Sequence, residues 1–505
     1  MTGSSVEQVY IDVAFVRIQR YLARTSRLRG RRSASAGMAE ATDSAVIAAR
    51  LPQGLAAANG EAGQADGIVS LKLVDPRPEG RQQRVRKVIS AVLAELREEF
   101  PAAELQAVWG VGESYVSAYA HEIGPRTRRG DVEHVWYDLP SLPEFPAARL
   151  CPLCGMDPAT EKARLPEAPE VPELVCADCA HRLRRGARAA ARVGESRKKS
   201  AEQRLQELLE VDEAPDALEN LAPLGAGDLK RNHLATVYID GNAVGLFFKR
   251  LLAAAATKPA LHDTKRELSR RLSELTEWSL LCATSQVLET MGPERSARLP
   301  VVPHVVGGDD VLVSVPASYA WAFVVEYLKT FDAEMRDSLV GPVNLDHGLD
   351  LPVPSASAGL VFARHGQPMY LLVDLAEERL RAAKRRTGGA ASSVAFLDLT
   401  TEGPQGVDDS PLPLSVLGQD ATLDALDRLH RLPRSLRTRL AQAMRDHDDT
   451  VSAEGLARRS GEFRAIEPFL PGRDGRPPRS GITLRHALRL VTWWRPLGPK
   501  ARSRL

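Results

Sequence analysis

Apolar residues follow two spacings along the chain, and together these spacings predict a mixed α+β fold. Compact apolar runs are typical of buried strands, and they occupy residues 9–13, 235–240 and 393–399, while residues 355–362 form a strand pattern of small residues. Apolar positions three and four residues apart are typical of helices, and they occupy residues 84–100, 245–252, 265–291, 317–339 and 371–386. Beyond residue 400 only the helical spacing continues, over residues 423–432, 435–447 and 484–494.

One predicted hairpin combines glycine with acid in its turn. Two apolar runs within residues 304–315 flank Gly307, Gly308, Asp309 and Asp310. Glycine permits positive φ in a tight turn and lets a ligand approach the backbone closely. Adjacent carboxylates repel each other, but they become useful ligands when a divalent cation lies between them and a phosphate. By itself the segment fits either a polar turn or a metal site.

The chain carries signs of an internal duplication. Residues 9–12, Val-Tyr-Ile-Asp, recur unchanged as residues 237–240. In both copies the strand that ends in Asp is followed by helical material and then by a glycine-turn hairpin. In the second copy the full order is strand, helix, two strands, helix and strand, which is the order of a ferredoxin-like domain. We therefore predict two ferredoxin-like domains in one chain.

The first copy is predicted to be degenerate. Residues 107–117 resemble the acidic hairpin, with Glu113 at the place of Asp309 and Ser114 at the place of Asp310. On this alignment the first copy has lost a metal-binding carboxylate.

Four of the five cysteines form two Cys-x-x-Cys pairs, Cys151 with Cys154 and Cys176 with Cys179. Each pair places two thiolates on one tight knuckle, and two knuckles complete a tetrahedral four-cysteine zinc site. Because the protein fills all four positions, the metal is predicted to be structural.

Composition narrows the class of protein. The 67 basic and 65 acidic residues give a net charge of +2, so no global field favours nucleic acid, although residues 17–32 form a local basic segment that could face RNA phosphates. No apolar run reaches the ~20 residues needed to span a bilayer, and five cysteines are too few for a disulfide framework. We expect a cytoplasmic protein that does not interact with membranes.

The second copy can assemble a metal-dependent site. Strand one and the hairpin lie side by side in a ferredoxin-like sheet, so Asp240 is expected beside Asp309 and Asp310. Three carboxylates can hold one or two divalent cations, Mg²⁺ or Mn²⁺, about 4 Å apart. Such a pair can activate a sugar hydroxyl for attack on an α-phosphate and neutralise the leaving pyrophosphate.

Nearby residues are predicted to bind the nucleotide. The backbone of Gly241 and Asn242, like that of the hairpin glycines, would approach the triphosphate, and Lys384 could reach its outer phosphates. Lysine late in a helix also complements the helix dipole, so Lys384 has a structural alternative. Ser357 and Gly359 lack bulk where a base or ribose could lie over the sheet.

These motifs, in this order, resemble the large catalytic subunit of type III CRISPR effector complexes, the palm-domain polymerase-cyclase family called Cas ten (Cas10). The resemblance rests on DGN at 240–242, GGDD at 307–310, SASAG at 355–359, AAK ending at 384, and CPLCG and CADC between the two copies. It implies that the second palm converts ATP to cyclic oligoadenylates when a complex with guide RNA and other subunits captures target RNA. It also implies that Asp309 and Asp310 are metal ligands with Asp240 as their neighbour.

The resemblance has one departure. Many family members begin with an HD nuclease domain, whereas this chain enters the first palm by Val9. His447 lies in the wrong part of the chain, and the other histidines of an HD metal site are missing around it. We therefore expect nucleotide cyclisation and not DNA cleavage.

Four segments are predicted: a degenerate palm at 1–145, a four-cysteine zinc module with a helical linker at 146–230, a catalytic GGDD palm at 231–400 and an α-helical C-terminal domain at 401–505. Two alternatives to the cyclase remain open. A GGDEF-like diguanylate cyclase shares the palm and the glycine hairpin, and a non-catalytic scaffold of an RNA-guided complex would keep the fold without the reaction.

Overall fold

The structure is a computed structural model. It describes residues 7–25, 27–62, 67–141, 149–165, 168–191, 200–215, 217–225, 232–255, 261–292, 298–403, 411–446, 449–472 and 476–496. His447 lies outside the described residues. No helix in these ranges is long and apolar enough to cross a membrane.

The first palm begins with a strand that is buried along most of its length. Its elements are β1 (Gln8–Val16), α1 (Ile18–Leu22), α2 (Leu28–Ala41), α3 (Ser44–Arg50), β2 (Ala56–Ala58), β3 (Ile68–Leu73), α4 (Arg81–Glu99), β4 (Glu104–Gly112), α5 (Tyr115–Ala118), a π-helical turn (Tyr119–Ile123), α6 (Gly124–Arg129) and β5 (Val135–Asp138). The sheet order is β2-β3-β1-β4-β5. Counting β1 to β4 as strands one to four, this is the ferredoxin-like order with β5 added at one edge.

The predicted hairpin copy at residues 107–117 is wrong. This segment belongs to β4, the fourth strand of the palm, and the chain then enters α5, where the Ser114 side chain accepts a hydrogen bond from the Ser117 N–H. The hairpin position is taken by β2 and β3. Any central strand shows the same apolar pattern, so the pattern could not distinguish strand four from strand three.

The register shows where the acidic position was lost. Leu71 pairs with Ile11 in the first palm, and Val311 pairs with Ile239 in the second. Ser70, and not Ser114, therefore lies at the place of Asp310.

A small zinc-type module follows the first palm. Its elements are β6 (Glu161–Leu165), β7 (Ala168–Val175) and α7 (Ala177–Ala191), with α8 (Ala201–Leu208), α9 (Leu218–Leu221) and a 3-10 turn (Ala222–Leu224) leading onward. β6 and β7 form an antiparallel hairpin, and the second cysteine pair begins α7.

The second palm follows the predicted element order. It contains β8 (His233–Asn242), α10 (Val244–Ala255), α11 (His262–Met291), β9 (Val302–Gly307), β10 (Asp310–Pro316), a 3-10 turn (Ala317–Tyr319), α12 (Ala320–Glu334), a π-helical turn (Met335–Val340), α13 (Gly341–His347), β11 (Ser355–Arg364), α14 (Met369–Thr387) and β12 (Ser393–Asp398). The C-terminal region adds α15 (Leu399–Glu402), β13 (Leu412–Pro413), α16 (Leu414–Leu417), α17 (Asp420–Arg431), α18 (Arg434–Asp446), α19 (Thr450–Arg459), α20 (Phe463–Ile466), a 3-10 turn (Glu467–Phe469) and α21 (Leu484–Leu490).

The second sheet has the order β13-β12-β11-β8-β10-β9. Its last four strands form the ferredoxin-like core, and the mixed α+β fold with two such palms is confirmed. In β8 every residue except Asp240 is buried, because α12 and α14 both pack against this central strand. One acidic residue on a buried apolar strand marks the end of the sheet where chemistry can take place.

The helical C-terminal region shares the core of the second palm. Trp493 lies after α21 and not inside the predicted helix; its ring stacks on Phe362 with centroids 5.4 Å apart, and its Nε1 donates to Asp398 at 2.9 Å. β13 also pairs with β12, so the sheet extends past the predicted boundary at residue 400.

Candidate active site

Three aspartates meet where β8 and β10 lie side by side. Asp310 opens β10, Asp309 occupies the turn before it, and Asp240 lies near the end of β8. Burial and the neighbouring Asp240 carboxylate raise the pKa of Asp309 to about 6 and hold the pKa of Asp310 well above its usual range. The juxtaposition predicted from the sequence is therefore present, and it concentrates negative charge at a half-buried site.

Each of these carboxylates is held by a donor from a different element. Lys384 in α14 forms an ion pair with Asp240 and donates to the Gly241 carbonyl at 2.8 Å. The Gln19 Nε2 of the first palm donates to Asp310 Oδ2 at 2.9 Å. The Gly241 backbone hydrogen-bonds Asp309. Lys384 therefore contacts a carboxylate in this structure, and its contact with the outer phosphates stays a prediction.

Gly241 lies within β8. A Cβ at this position would lie 2.5 Å from Asp309 Oδ2 and 2.5 Å from Val244 Cγ2. The turn comes later, at Ala243, which adopts φ 59° directly before α10. Positive φ at a non-glycine residue is strained, and such strain is often found beside functional sites.

Asn242 is fixed by a buried polar network. Its Nδ2 donates to Ser355 Oγ and Ser357 Oγ, both at 2.9 Å, and to the Ala391 carbonyl at 3.3 Å. The Ala391 carbonyl can only accept a hydrogen bond, so it must face the nitrogen of the Asn242 side chain, and this sets the orientation of the Asn242 amide. Asn242 Oδ1 then remains buried without a hydrogen-bond partner. A buried acceptor of this kind is costly unless a ligand supplies a donor.

Two predicted nucleotide contacts have structural roles instead. Ser357 is buried and contacts Asn242 and Ser393, so it has no open face for a ribose. A Cβ on Gly359 would lie 2.1 Å from the Ala376 carbonyl oxygen and 2.4 Å from the Leu380 nitrogen, both in α14. Gly359 therefore lets α14 approach the sheet, and no base can lie there.

The hairpin glycines are exposed. Gly307 ends β9, and Gly308 adopts φ 60° in the turn, a conformation that favours glycine. Thr276 Oγ1 in α11 donates to the Gly308 carbonyl at 2.7 Å and so fixes the turn from the other side.

Much of the basic segment at residues 17–32 is used for internal contacts. Arg24 pairs with Asp157, Arg32 pairs with Glu202, and buried Arg31 contacts His304 Nδ1 at 3.1 Å. These three arginines contact other side chains of the protein and do not form the predicted phosphate-facing surface. The local sequence pattern could not show this, because their partners lie far away along the chain.

The four cysteines converge in the small module that follows the first palm. Their ligand atoms all lie within 4.8 Å of one another, in Cys151, Cys154, Cys176 and Cys179. The Sγ atoms of Cys154 and Cys176 are 3.8 Å apart. A tetrahedral zinc site with Zn–S bonds of about 2.3 Å needs this spacing. Within the described part of the chain no other group of three or more metal-ligating side chains is this compact. The ligand atoms of the three aspartates are therefore spaced more widely than those of the cysteines.

Fold and site together define the class of protein, an α+β protein with two palm domains of the nucleotide cyclase and polymerase type. Residues 233–391 match the family model described as Cas10/Cmr2, second palm domain. This match covers the second palm and supports the resemblance to the Cas10 family seen in the sequence.

Solved structures share the fold at low sequence identity. A Csm1-Csm4 cassette in complex with cA4 is 13% identical, over 96% of this chain and 70% of that chain, with a TM-score of 0.54. The same kind of cassette with AMPPNP is 16% identical, over 96% and 69%, with a TM-score of 0.54. Csm1 in T. onnurineus is 16% identical, over 98% and 70%, with a TM-score of 0.52. No curated protein matches the sequence.

Proposed function

We propose that this protein is a metal-dependent nucleotidyltransferase that converts ATP to cyclic oligoadenylate. It would act as the large subunit of a type III CRISPR complex that contains guide RNA, target RNA and other CRISPR subunits. The observation that carries the proposal is the meeting of Asp240, Asp309 and Asp310 at the accessible end of a Cas10/Cmr2 second palm. Similar folds hold cA4, one ATP or AMPPNP beside Csm4, which supports both the substrate and a partner subunit.

The aspartates fit a divalent cation. Oxygen ligands suit Mg²⁺ and Mn²⁺, and crowded carboxylates with raised pKa gain from a positive charge among them. Asp240, Asp309 and Asp310 would hold the ion. When bound, it would supply Lewis-acid activation of a ribose hydroxyl and neutralise charge on the triphosphate.

Other residues would bind the substrate. The exposed backbone of Gly307 and Gly308 leaves room for phosphates. Lys384, with 27% of its side chain exposed, could move between Asp240 and a phosphate. Asn242 Oδ1 and the neighbouring Ser355 hydroxyl offer an acceptor beside a donor, which complements a purine edge such as N6 and N1 of adenine.

The cysteine cluster would hold a structural Zn²⁺. All four ligands come from the protein, and with four ligands zinc has no open position for a substrate. Its role would be to fix the module against the first palm.

The direct test replaces the hairpin acids. Asp309→Ala combined with Asp310→Ala should lower cyclic product formation from ATP by at least about 10²–10³-fold, because these side chains hold the charge that the reaction needs. Assembly with partner subunits and RNA should be unchanged. The measurement is turnover of ATP and of GTP with Mg²⁺ or Mn²⁺, with guide and target RNA present.

A matched control replaces the exposed pair Asp346 and Asp350 by alanine, which should leave turnover unchanged. If the wild-type complex never consumes ATP, the result favours a non-catalytic scaffold subunit. Use of GTP alone would favour a diguanylate cyclase.

A further inference from the structure

The first palm contacts the catalytic carboxylate of the second. Gln19 lies in α1, and its Nε2 donates to Asp310 Oδ2 at 2.9 Å across 291 positions of sequence. The contact is partly buried, which strengthens a hydrogen bond to a carboxylate relative to one in water. α1 also packs beside α14, the helix that carries Lys384.

Helix α1 is itself fixed by the cysteine knuckle. Tyr21 donates its hydroxyl to Asp178 Oδ1 at 2.7 Å, and Asp178 lies between Cys176 and Cys179. Arg182 pairs with Asp178 at 2.8 Å and donates to the Tyr21 carbonyl at 2.8 Å. Asp178 and Arg182 are each 3% exposed, so these contacts hold α1 rigidly two residues after Gln19.

We propose that Gln19 is a positioning residue that orients Asp310 for the divalent cation, so that the degenerate palm contributes to the active site of its partner palm. The inference rests on the proposed function of the aspartates as metal ligands.

The chemistry of the amide suits this role. A donor on one carboxylate oxygen fixes the plane of the group and leaves the other oxygen for a metal. Glutamine is neutral, so it can hold Asp310 without adding a positive charge that would compete with the cation. Lys384 already supplies such a charge on Asp240.

The test measures metal binding directly in the full-length, zinc-loaded protein. Free Mn²⁺ is followed by electron paramagnetic resonance, and binding that persists in the Asp309→Ala, Asp310→Ala variant is subtracted. Gln19→Met keeps the length and loses the donor, and it should weaken Mn²⁺ binding about tenfold, as is usual when a residue that orients a metal ligand is removed. Excess Mn²⁺ should restore product formation, which a merely structural defect would not allow.

Gln106→Met is the matched control, because Gln106 is a partly buried glutamine of the same palm that donates to Tyr137 and not to the site. It should bind Mn²⁺ like the wild type. Tyr21→Phe removes the hydroxyl that ties α1 to Asp178 and should weaken binding in the same direction by a smaller factor.

Wild-type Mn²⁺ affinity in Gln19→Met would overturn the inference while leaving the proposed function intact. An equal loss in Gln106→Met would also overturn it, because the effect would then be general. No binding by the wild type beyond the aspartate double variant would remove the proposed metal site and the inference with it.

Discussion

At the scale of single residues, Gly241 decides how closely the hairpin can approach the first strand of its palm. Asp309 Oδ2 lies only 2.5 Å from the position that a Cβ would take at residue 241. Interatomic contacts this short are not tolerated, so a side chain here must displace the carboxylate or the strand. The absence of one methyl group thus sets the position of a proposed metal ligand.

Gly241→Ala should lower cyclase activity by about 10²-fold, because a shift of about 1 Å in a catalytic group has effects of this order. Melting temperature should fall by only a few degrees, because overpacking by one methyl group at this buried position costs about 1–3 kcal/mol. Product formation from ATP and thermal unfolding are the measurements. Gly366→Ala is the control, since nothing lies within 4 Å of its Cβ position and it follows the end of β11 that lies away from the hairpin. Equal activity in the two variants would show that the close approach is irrelevant.

At the scale of elements, a partly buried acid ties α12 to the sheet behind the site. Asp332 in α12 accepts from Ser392 Oγ at 2.7 Å, and Ser392 Oγ accepts from the Ala356 N–H in β11 at 3.3 Å. Burial raises the pKa of Asp332 to about 6, while these hydrogen bonds only partly offset the cost. The contact holds α12 against β11. At neutral pH, however, the buried negative charge of Asp332 destabilises the folded state.

The penalty predicts a pH dependence of stability. The folded state binds the proton of Asp332 more tightly than the unfolded state does, so the contribution of this group to the free energy of unfolding falls as pH rises from about 4 to about 6. Asp332→Asn should therefore be more stable than the wild type by about 1 kcal/mol at pH 8, with no gain at pH 4.

Denaturant unfolding at the two pH values measures this difference. Asp337→Asn, an exposed aspartate shortly after α12, serves as the control. A gain of equal size at both pH values would rule out ionisation of Asp332 as its cause.

At the scale of the whole molecule, the cysteine module joins parts of the chain that are distant in sequence. Asp178 and Arg182 hold α1, Ser33 donates to the Arg182 carbonyl at 2.8 Å, and Arg185 pairs with Glu99 at 2.7 Å. These contacts all go to the first palm, which in turn contacts the second through Gln19. The module therefore fixes the part of the first palm that carries Gln19 to the second palm.

Loss of one cysteine ligand should loosen this arrangement. Cys176→Ser should lose the bound zinc, and the melting temperature should fall by roughly 5 °C or more, because metal binding contributes directly to the folding free energy of such a module. Metal content and thermal unfolding are measured on the same preparation. Cys282→Ser, outside the cluster, should retain zinc and stability. Unchanged stability in the zinc-free variant would contradict a structural role.

Local patterns in the sequence determined the fold class, the acidic hairpin and the cysteine cluster. Strand and helix periodicities extend over a few residues, a Gly-Gly turn needs only its neighbours, and two short cysteine pairs suffice for four thiolates. Asp240 was placed beside the hairpin because the order of elements fixes which strands are adjacent.

Tertiary structure alone decided how the residues around the proposed site are arranged. It assigned residues 107–117 to the fourth strand, placed Ser70 at the position of Asp310, and buried Gly359 under α14. It also brought Gln19 to Asp310 across 291 positions, a pairing for which no local pattern exists. Periodicity specifies which face of an element is buried, whereas the partner on that face depends on how distant elements pack together.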